Sequence, residues 1–361
     1  MVTIRMLLTI ALHHNWAVTQ LDISNAFLHG DLHDAVYMKQ PRSFEDAQHL
    51  QYVRKLHKSI YGLKQSPRLW FNKLTQSLQH NGFNFSKAVP SVLLYTKADV
   101  RVFVLIYVND ILITSNNKAK IQLTLQHLQS AFRLKQLSNV SLFLRIQVIQ
   151  TTYGYLLNQT HYANELLSHA GFSGYKPSNT PALTKPSKLQ DKTLFPDPQL
   201  LQKLAGSLQY LSITRSDIAF TVNSICQFMH QPRNCDYLTL KRLLCYIKGT
   251  ADFGLSITRG SLCLRRYSDV DWATDPIEQK SMSLYCTFLG PNLISWSVKK
   301  QTTVTRSSTE AEYRSLSSMI SEVHWIRRLA AELLIPQHQE TIIHCDNTSA
   351  IALANNPVLH A

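Results

Sequence analysis

A chain of 361 residues with 45% hydrophobic content holds enough material for two or three cored domains and falls outside the disordered class. Its 37 lysines and arginines outnumber 23 acids, giving a formal charge of +14 that is spread along the chain without a basic tail. That balance favours a polyanionic partner, most simply nucleic acid.

Residues 3–12 place apolar side chains at 4, 7, 8 and 11, the spacing of one helical face. Residues 18–23 alternate as a short strand with Asp22 near its end, and 24–30 leave it as a loop. A second strand is expected at 35–39, closed by Pro41, and a helix from Pro67 to about 80, since proline suits the first helical turn. Two apolar runs, 102–108 and 111–113, flank Asn109-Asp110. They predict a β-hairpin with Asn-Asp in its turn, which would hold a carboxylate rigidly and outward, a place suited to a divalent metal. A helix is expected at 121–132 and strands at 141–148 and 154–158.

From 162 to 249 the pattern is helical, with helices predicted at 162–170, 199–211, 216–230 and 237–248. Between the first two, residues 175–198 carry five prolines and make the best linker in the chain. From 262 the rhythm changes to strands at 262–272, 283–289 and 293–296, a long helix at 309–334, a strand at 341–345 and a helix at 349–354. Together they predict an α/β unit. The six cysteines form no C-x-x-C pair, so no zinc or redox motif is indicated, and they read as reduced, mostly buried thiols of an intracellular protein. No secretory signal and no membrane-spanning run is expected.

Two sets of carboxylates stand at predicted strand ends: Asp22 with Asp110, and Asp269 with Glu312 and Asp346. Magnesium takes hard oxygen ligands and usually binds through one or two carboxylates plus phosphate. Two such sets on a basic protein suggest phosphoryl transfer on nucleic acid. Each acid also has a plainer explanation. Thr309-x-x-Glu312 has the form of a capping box, and Asp346-Asn347 that of a strand-to-helix cap.

Several stretches are recognisable. Gln20-Leu-Asp-Ile-Ser-Asn-Ala-Phe-Leu-His-Gly-Asp-Leu32 resembles the first catalytic motif of Ty1/copia-type retrotransposon reverse transcriptases. Lys58-Ser-Ile-Tyr-Gly-Leu-Lys-Gln-Ser-Pro-Arg-Leu-Trp70 resembles the family's next motif, and Tyr107-Val-Asn-Asp110 sits where it has Tyr-Val-Asp-Asp. Gly206-Ser-Leu-Gln-Tyr-Leu211, Thr214-Arg-Ser-Asp-Ile-Ala-Phe220 and Lys248-Gly-Thr250 are similar to its connecting region. Tyr267-Ser-Asp-Val-Asp-Trp272, Ser307-Ser-Thr-Glu-Ala-Glu-Tyr313 and Cys345-Asp-Asn347 resemble its ribonuclease H domain.

The resemblance implies an α+β chain from a Pol polyprotein: a reverse-transcriptase palm at 1–150, a mostly helical thumb and connection at 151–260, and a ribonuclease H-like domain at 261–361. It implies an RNA-directed DNA polymerase (a nucleotidyltransferase) with ribonuclease H activity. The partners would be an RNA template, a DNA primer, an RNA–DNA hybrid and dNTPs, without a membrane, in a cytoplasmic particle or the nucleus. Two-metal Mg2+ sites would use Asp22 and Asp110 in the polymerase, and Asp269, Glu312 and Asp346 in the ribonuclease H part, with Asp271 a possible substitute for Asp269. Phe27 would lie under the sugar of the incoming nucleotide. Gln65 would touch nucleotide or template, and Lys64 and Arg68 would face phosphates beside interleaved aromatics.

The sequence departs from the family at several points. Asn109 replaces the motif's first aspartate, which predicts weak or absent polymerase activity. Phe143-Leu-Arg-Ile146 stands where the family has Phe-Leu-Gly-Ile, and Arg145 cannot copy a glycine's close approach. Pro41-Arg-Ser-Phe44 and Met282-Ser-Leu284 also differ. The chain is expected to lack most of the fingers and the last ribonuclease H segment, making it a truncated copy. The competing readings are an inactive retroelement remnant and a non-catalytic nucleic-acid binder.

Overall fold

Strand propensity and burial act together around Asp110. The computed structural model, which describes residues 1–183, 191, 193–275 and 278–356, separates into two compact units. Part of the proline-rich linker, 184–190 and 192, and the last residues, 357–361, lie outside the described residues.

The unit His14–Ser141 is built on a six-stranded antiparallel sheet. Its order is Asn84–Phe85, Val92–Lys97, Val100–Tyr107, Asp110–Ser115, Val18–Ile23 and Leu134–Asn139. Helices Ser66–His80 and Lys118–Ala131 cover one face, and Leu21, Ile23, Trp70, Leu74, Val104, Ile113 and Leu125 form the core between them. The strands at 92–97 and 134–139 were not expected from the sequence. A separate two-stranded ribbon pairs Asp31–Lys39 with Val53–Lys58.

The hairpin forms, with one correction. Its two-residue loop is Val108-Asn109, and Asp110 is the first residue of the returning strand, opposite Tyr107. Val108 takes φ 56°, a left-handed conformation that costs a β-branched residue energy but matches the twist a two-residue hairpin needs.

The unit Met1–His13 with Leu142–Ala361 carries two further sheets. One runs in the order Gly254–Thr258, Gly154–Asn158, Ile146–Thr151, Leu142–Phe143. The expected strand at 141–148 is broken at Leu144-Arg145, with φ 51° and 54°, so that Phe143 pairs back with Ile146. Two consecutive positive φ values define a turn that glycine fills best. Arg145→Gly is therefore expected to stabilise the protein by roughly 1 kcal/mol in a denaturant titration.

The predicted helices fold as Thr160–His169, Pro198–Leu211, Ala219–Gln227 and Asn234–Gly249 around Leu166, Leu204, Leu208, Val222, Leu243 and Ile247. The third of these is shorter than expected, because residues 216–218 form a 3-10 turn ahead of it. The last sheet orders its strands as Asn292–Lys300, Met282–Leu289, Leu264–Asp271 and Ile342–His344, the final pair being parallel. Helix Ser308–Glu332 packs on its two inner antiparallel strands, fixed by Ser268 Oγ to Ser315 Oγ at 3.1 Å and by fully buried Arg266 to Glu322 at 2.6 Å. The cysteines are less buried than expected. Five are partly exposed, and Cys263, next to a strand start, is open to solvent. Among the described residues, no helix is long and apolar enough to cross a membrane.

Candidate active site

Asp22 and Asp110 stand directly opposite each other on neighbouring antiparallel strands. Both are half-buried. Burial first, and then the charge of Asp22, push the Asp110 carboxyl above its ordinary range, against a hydrogen bond from Gln20. Asn109 completes the group. Its Nδ2 donates to Asp22 Oδ1 at 2.7 Å, while its backbone carbonyl accepts from Ile23 at 3.1 Å. The amide thus occupies one oxygen of Asp22 with a hydrogen bond. Lys135 Nζ lies 3.9 Å from Asp22 Oδ2, an exposed contact that the sequence did not indicate.

The second motif reaches the carboxylates through Trp70. This residue is buried, and its Nε1 donates to the Val108 carbonyl at 2.7 Å, anchoring the hairpin turn to helix Ser66–His80. Trp70 is therefore core, and no base can stack on it. Phe27 lies on a 3-10 turn, half-buried, with its ring 4.9 Å from that of exposed Tyr61. Gly30 closes this turn where a Cβ would come within 2.7 Å of Ser59 Oγ and 2.9 Å of Leu69 Cβ. Gln65 is the residue before the helix, and its side chain makes no capping bond. Lys64 and Arg68 are exposed and make no ion pair among the described residues. By contrast, Lys58 and Lys73 both bind Asp31, and their hydrogen bonds hold its carboxyl down at about 2. Those two cations are already partnered within the fold.

The second carboxylate set is brought together at one end of the last sheet. Ligand atoms of Glu312, Cys345 and Asp346 all lie within 4.8 Å of one another. Glu312 is buried, whereas Asp346 and Asp269 are exposed. Burial pushes the Glu312 carboxyl up, and the charges of Asp346 and Asp269 push it further. Asp269 accepts the Val270 amide at 2.9 Å, and the Cys345 thiol donates to Glu312 at 3.8 Å. Two carboxylates, Glu312 and Asp346, converge here and offer the hard oxygens magnesium takes, with a soft thiol beside them that the sequence reading missed; Asp269 stands outside this close group and acts on Glu312 through its charge.

The structure removes the first capping explanation and assigns the second to Asn347 alone. Helix Ser308–Glu332 is capped by Ser307, whose side chain accepts from the Glu310 amide, not by the Thr309–Glu312 pair. Asn347, not Asp346, caps the last helix through Ala350. Glu312 and Asp346 are thus left without a capping role.

A buried acid whose native pKa is raised loses stability at neutral pH. Well above the native pKa both states are ionised and the folded state bears the repulsion; below the unfolded pKa both are protonated and the penalty vanishes. Glu312→Gln is accordingly expected to raise the metal-free melting temperature at pH 7 by several degrees, with the gain disappearing as pH falls through the raised pKa. Melting curves at a series of pH values check this.

With that geometry in place, the comparisons identify the class. A family model described as reverse transcriptase (RNA-dependent DNA polymerase) matches residues 1–184, and the chain belongs to that family. Its nearer likenesses are retrotransposon polyproteins. It is 41% identical over 361 residues to the retrovirus-related Pol polyprotein from transposon RE2 of Arabidopsis thaliana, covering 99% of this chain and 25% of that one. It is 32% identical over 372 residues to the corresponding polyprotein from transposon TNT 1-94 of Nicotiana tabacum, covering 100% of this chain and 28% of that one. Within the family the chain is of the Ty1/copia type, and it spans about a quarter of the length of these curated relatives. A foamy viral protease-reverse transcriptase solved with double-stranded DNA shares the fold, at TM-score 0.50 and 11% identity, over 95% of this chain and 52% of that one.

Proposed function

We propose that this chain works as the reverse transcriptase and ribonuclease H portion of a copia-type Pol polyprotein, with its polymerase step impaired and its ribonuclease H centre the more intact of the two. The observation that carries this reading is the contrast between the two carboxylate groups. In the polymerase group, one of three expected acids is an amide hydrogen-bonded at 2.7 Å to another. In the ribonuclease H group, Glu312 and Asp346 converge, with Asp269 close enough to act on Glu312.

In functional terms the chain divides into a palm at 1–150, a thumb and connection at 151–260 and a ribonuclease H-like part at 261–361. Asp22 and Asp110 would hold magnesium in the first, and Asp269, Glu312 and Asp346 in the last. When bound, the ions supply charge neutralisation and an activated oxygen for phosphoryl transfer. The protein's own contribution is placement. Antiparallel register sets Asp22 against Asp110, and helix packing sets Glu312 against the sheet. Phe27, Lys64, Gln65 and Arg68 would contact nucleotide and template. The partners are an RNA template, a DNA primer, dNTPs and the RNA–DNA hybrid.

The fit to the metal differs between the sites. Asp22 and Asp110 give two carboxylates, but Asn109 presents a donor where a dication needs an acceptor. A purely nucleic-acid-binding role is favoured by one specific feature, the exposed Lys64 and Arg68, which make no ion pair among the described residues. The test is magnesium-dependent release of short RNA from a labelled RNA–DNA hybrid. Release supports the enzymatic reading, and tight salt-sensitive binding without release supports the binding role.

A further inference from the structure

We propose that the cleft between the last sheet and the N-terminal half of helix Ser308–Glu332 binds a backbone phosphate of a nucleic-acid strand, with Lys299 and Arg314 as its cationic clamps. The cleft has a volume of about 220 Å³, and its lining residues include three cations and no carboxylate. The cations are not equivalent. Lys300 is already neutralised by Asp275 and by Glu278 at 2.7 Å. Arg314 shares its charge with Glu310 at 2.7 Å and donates to the Thr303 hydroxyl, which leaves further N–H groups of its planar fork for a phosphate. Lys299 is exposed and has no ion pair among the described residues. Hydroxyls of Ser283 on the sheet side and Ser318 on the helix side also line the cleft.

Register places the cleft beside the strand that carries Asp269. Lys299 pairs with Ser283, and Ser283 pairs with Val270, the neighbour of Asp269. Two strand spacings, about 10 Å, separate Lys299 from Val270, and strand alternation puts both side chains on the helix-facing side of the sheet, opposite to Asp269. On the helix side, Gln301 Nε2 donates at 2.9 Å to the carbonyl of Ala311, the residue before Glu312. A phosphate held in the cleft therefore lies on the helix-facing side of the sheet, next to the helical turn that carries Glu312. The clamp rests on the ribonuclease H reading for the identity of its strand, not for the binding itself.

The experiment uses the full chain and a fluorescein-labelled RNA–DNA hybrid without divalent metal, with anisotropy read across a salt series. Lys299→Ala and Arg314→Ala are each expected to weaken binding 3- to 10-fold and to lower the slope of log affinity against log salt by about 1. Arg328→Ala, an equal charge loss at an exposed position further along the same helix, is expected to leave the slope unchanged. Arg314→Lys, which keeps the charge, should recover most of the slope, and unchanged melting of Lys299→Ala shows an intact fold. Equal slopes for the cleft variants and Arg328→Ala, or no hybrid binding by the parent chain, overturn the proposal. When magnesium is then added to the same samples, altered slopes without RNA cleavage by the parent chain refute the ribonuclease reading and leave the clamp standing. Cleavage by the parent with unaltered slopes would refute the clamp alone.

Discussion

Asn109→Asp is expected to make the stability of the protein depend on magnesium. In the present chain the Asn109 amide donates to Asp22 at 2.7 Å, a bond between a neutral donor and a carboxylate that holds the turn together without any ion. An aspartate in its place would set two acidic oxygens against each other, with Asp110 directly across the strand pair. Loss of a hydrogen bond to a charged group, together with like-charge repulsion, should cost roughly 2–4 kcal/mol in the absence of metal. Magnesium neutralises that repulsion, so the variant should melt several degrees higher in millimolar magnesium than in chelator. The parent should change little. The same substitution is expected to raise primer extension at least ~10-fold, because a carboxylate in a partly dry site binds a dication far better than an amide does. Equal magnesium sensitivity of parent and variant would count against this view of the site.

The second large effect belongs to the other carboxylate group. Asp269→Asn should lower magnesium-dependent cleavage of the RNA strand of a hybrid by ~10²-fold or more, since it removes one of the negative charges that would hold the dication. Asp271 is the one nearby candidate substitute. It lies two residues on along the same strand, and like Asp269 it is exposed. Persistence of cleavage in Asp269→Asn, and its loss in Asp271→Asn, would move the metal-binding role by those two residues. Hybrid affinity measured without metal should be little altered in either variant, which separates catalysis from binding.

Much of this was legible in the residues. Alternation and β-branched runs announced the strands that carry Asp22 and Asp110, and the turn chemistry at Asn109 announced the hairpin. The helical span and the switch to strands after 262 were equally visible. What escaped the sequence depends on tertiary partners. The edge strand Leu134–Asn139 mixes polar and apolar residues because it pairs on one side only, with Val18–Ile23. The strand Gly254–Thr258 follows a long helical stretch and joins Gly154–Asn158 about a hundred residues upstream, a pairing no local pattern signals. The Thr309–Glu312 pattern suggested a cap, yet the helix begins two residues earlier than that pattern requires and Ser307 takes the role. A shift of that size turns Glu312 from a terminal residue into a buried acid facing Asp346. Trp70 read as one of several aromatics in a basic groove, and only packing shows it beneath the hairpin turn.

The most direct test is to follow both reactions on one substrate. A single preparation of the chain is given a primed RNA–DNA hybrid with magnesium and all four dNTPs, and RNA fragments and extended primer are resolved together. The asymmetry between the two carboxylate groups predicts RNA cleavage that chelator abolishes, with primer extension at least ~10-fold below that of Asn109→Asp. Robust extension by the parent chain at the rate of Asn109→Asp, with no cleavage of the RNA, would contradict it.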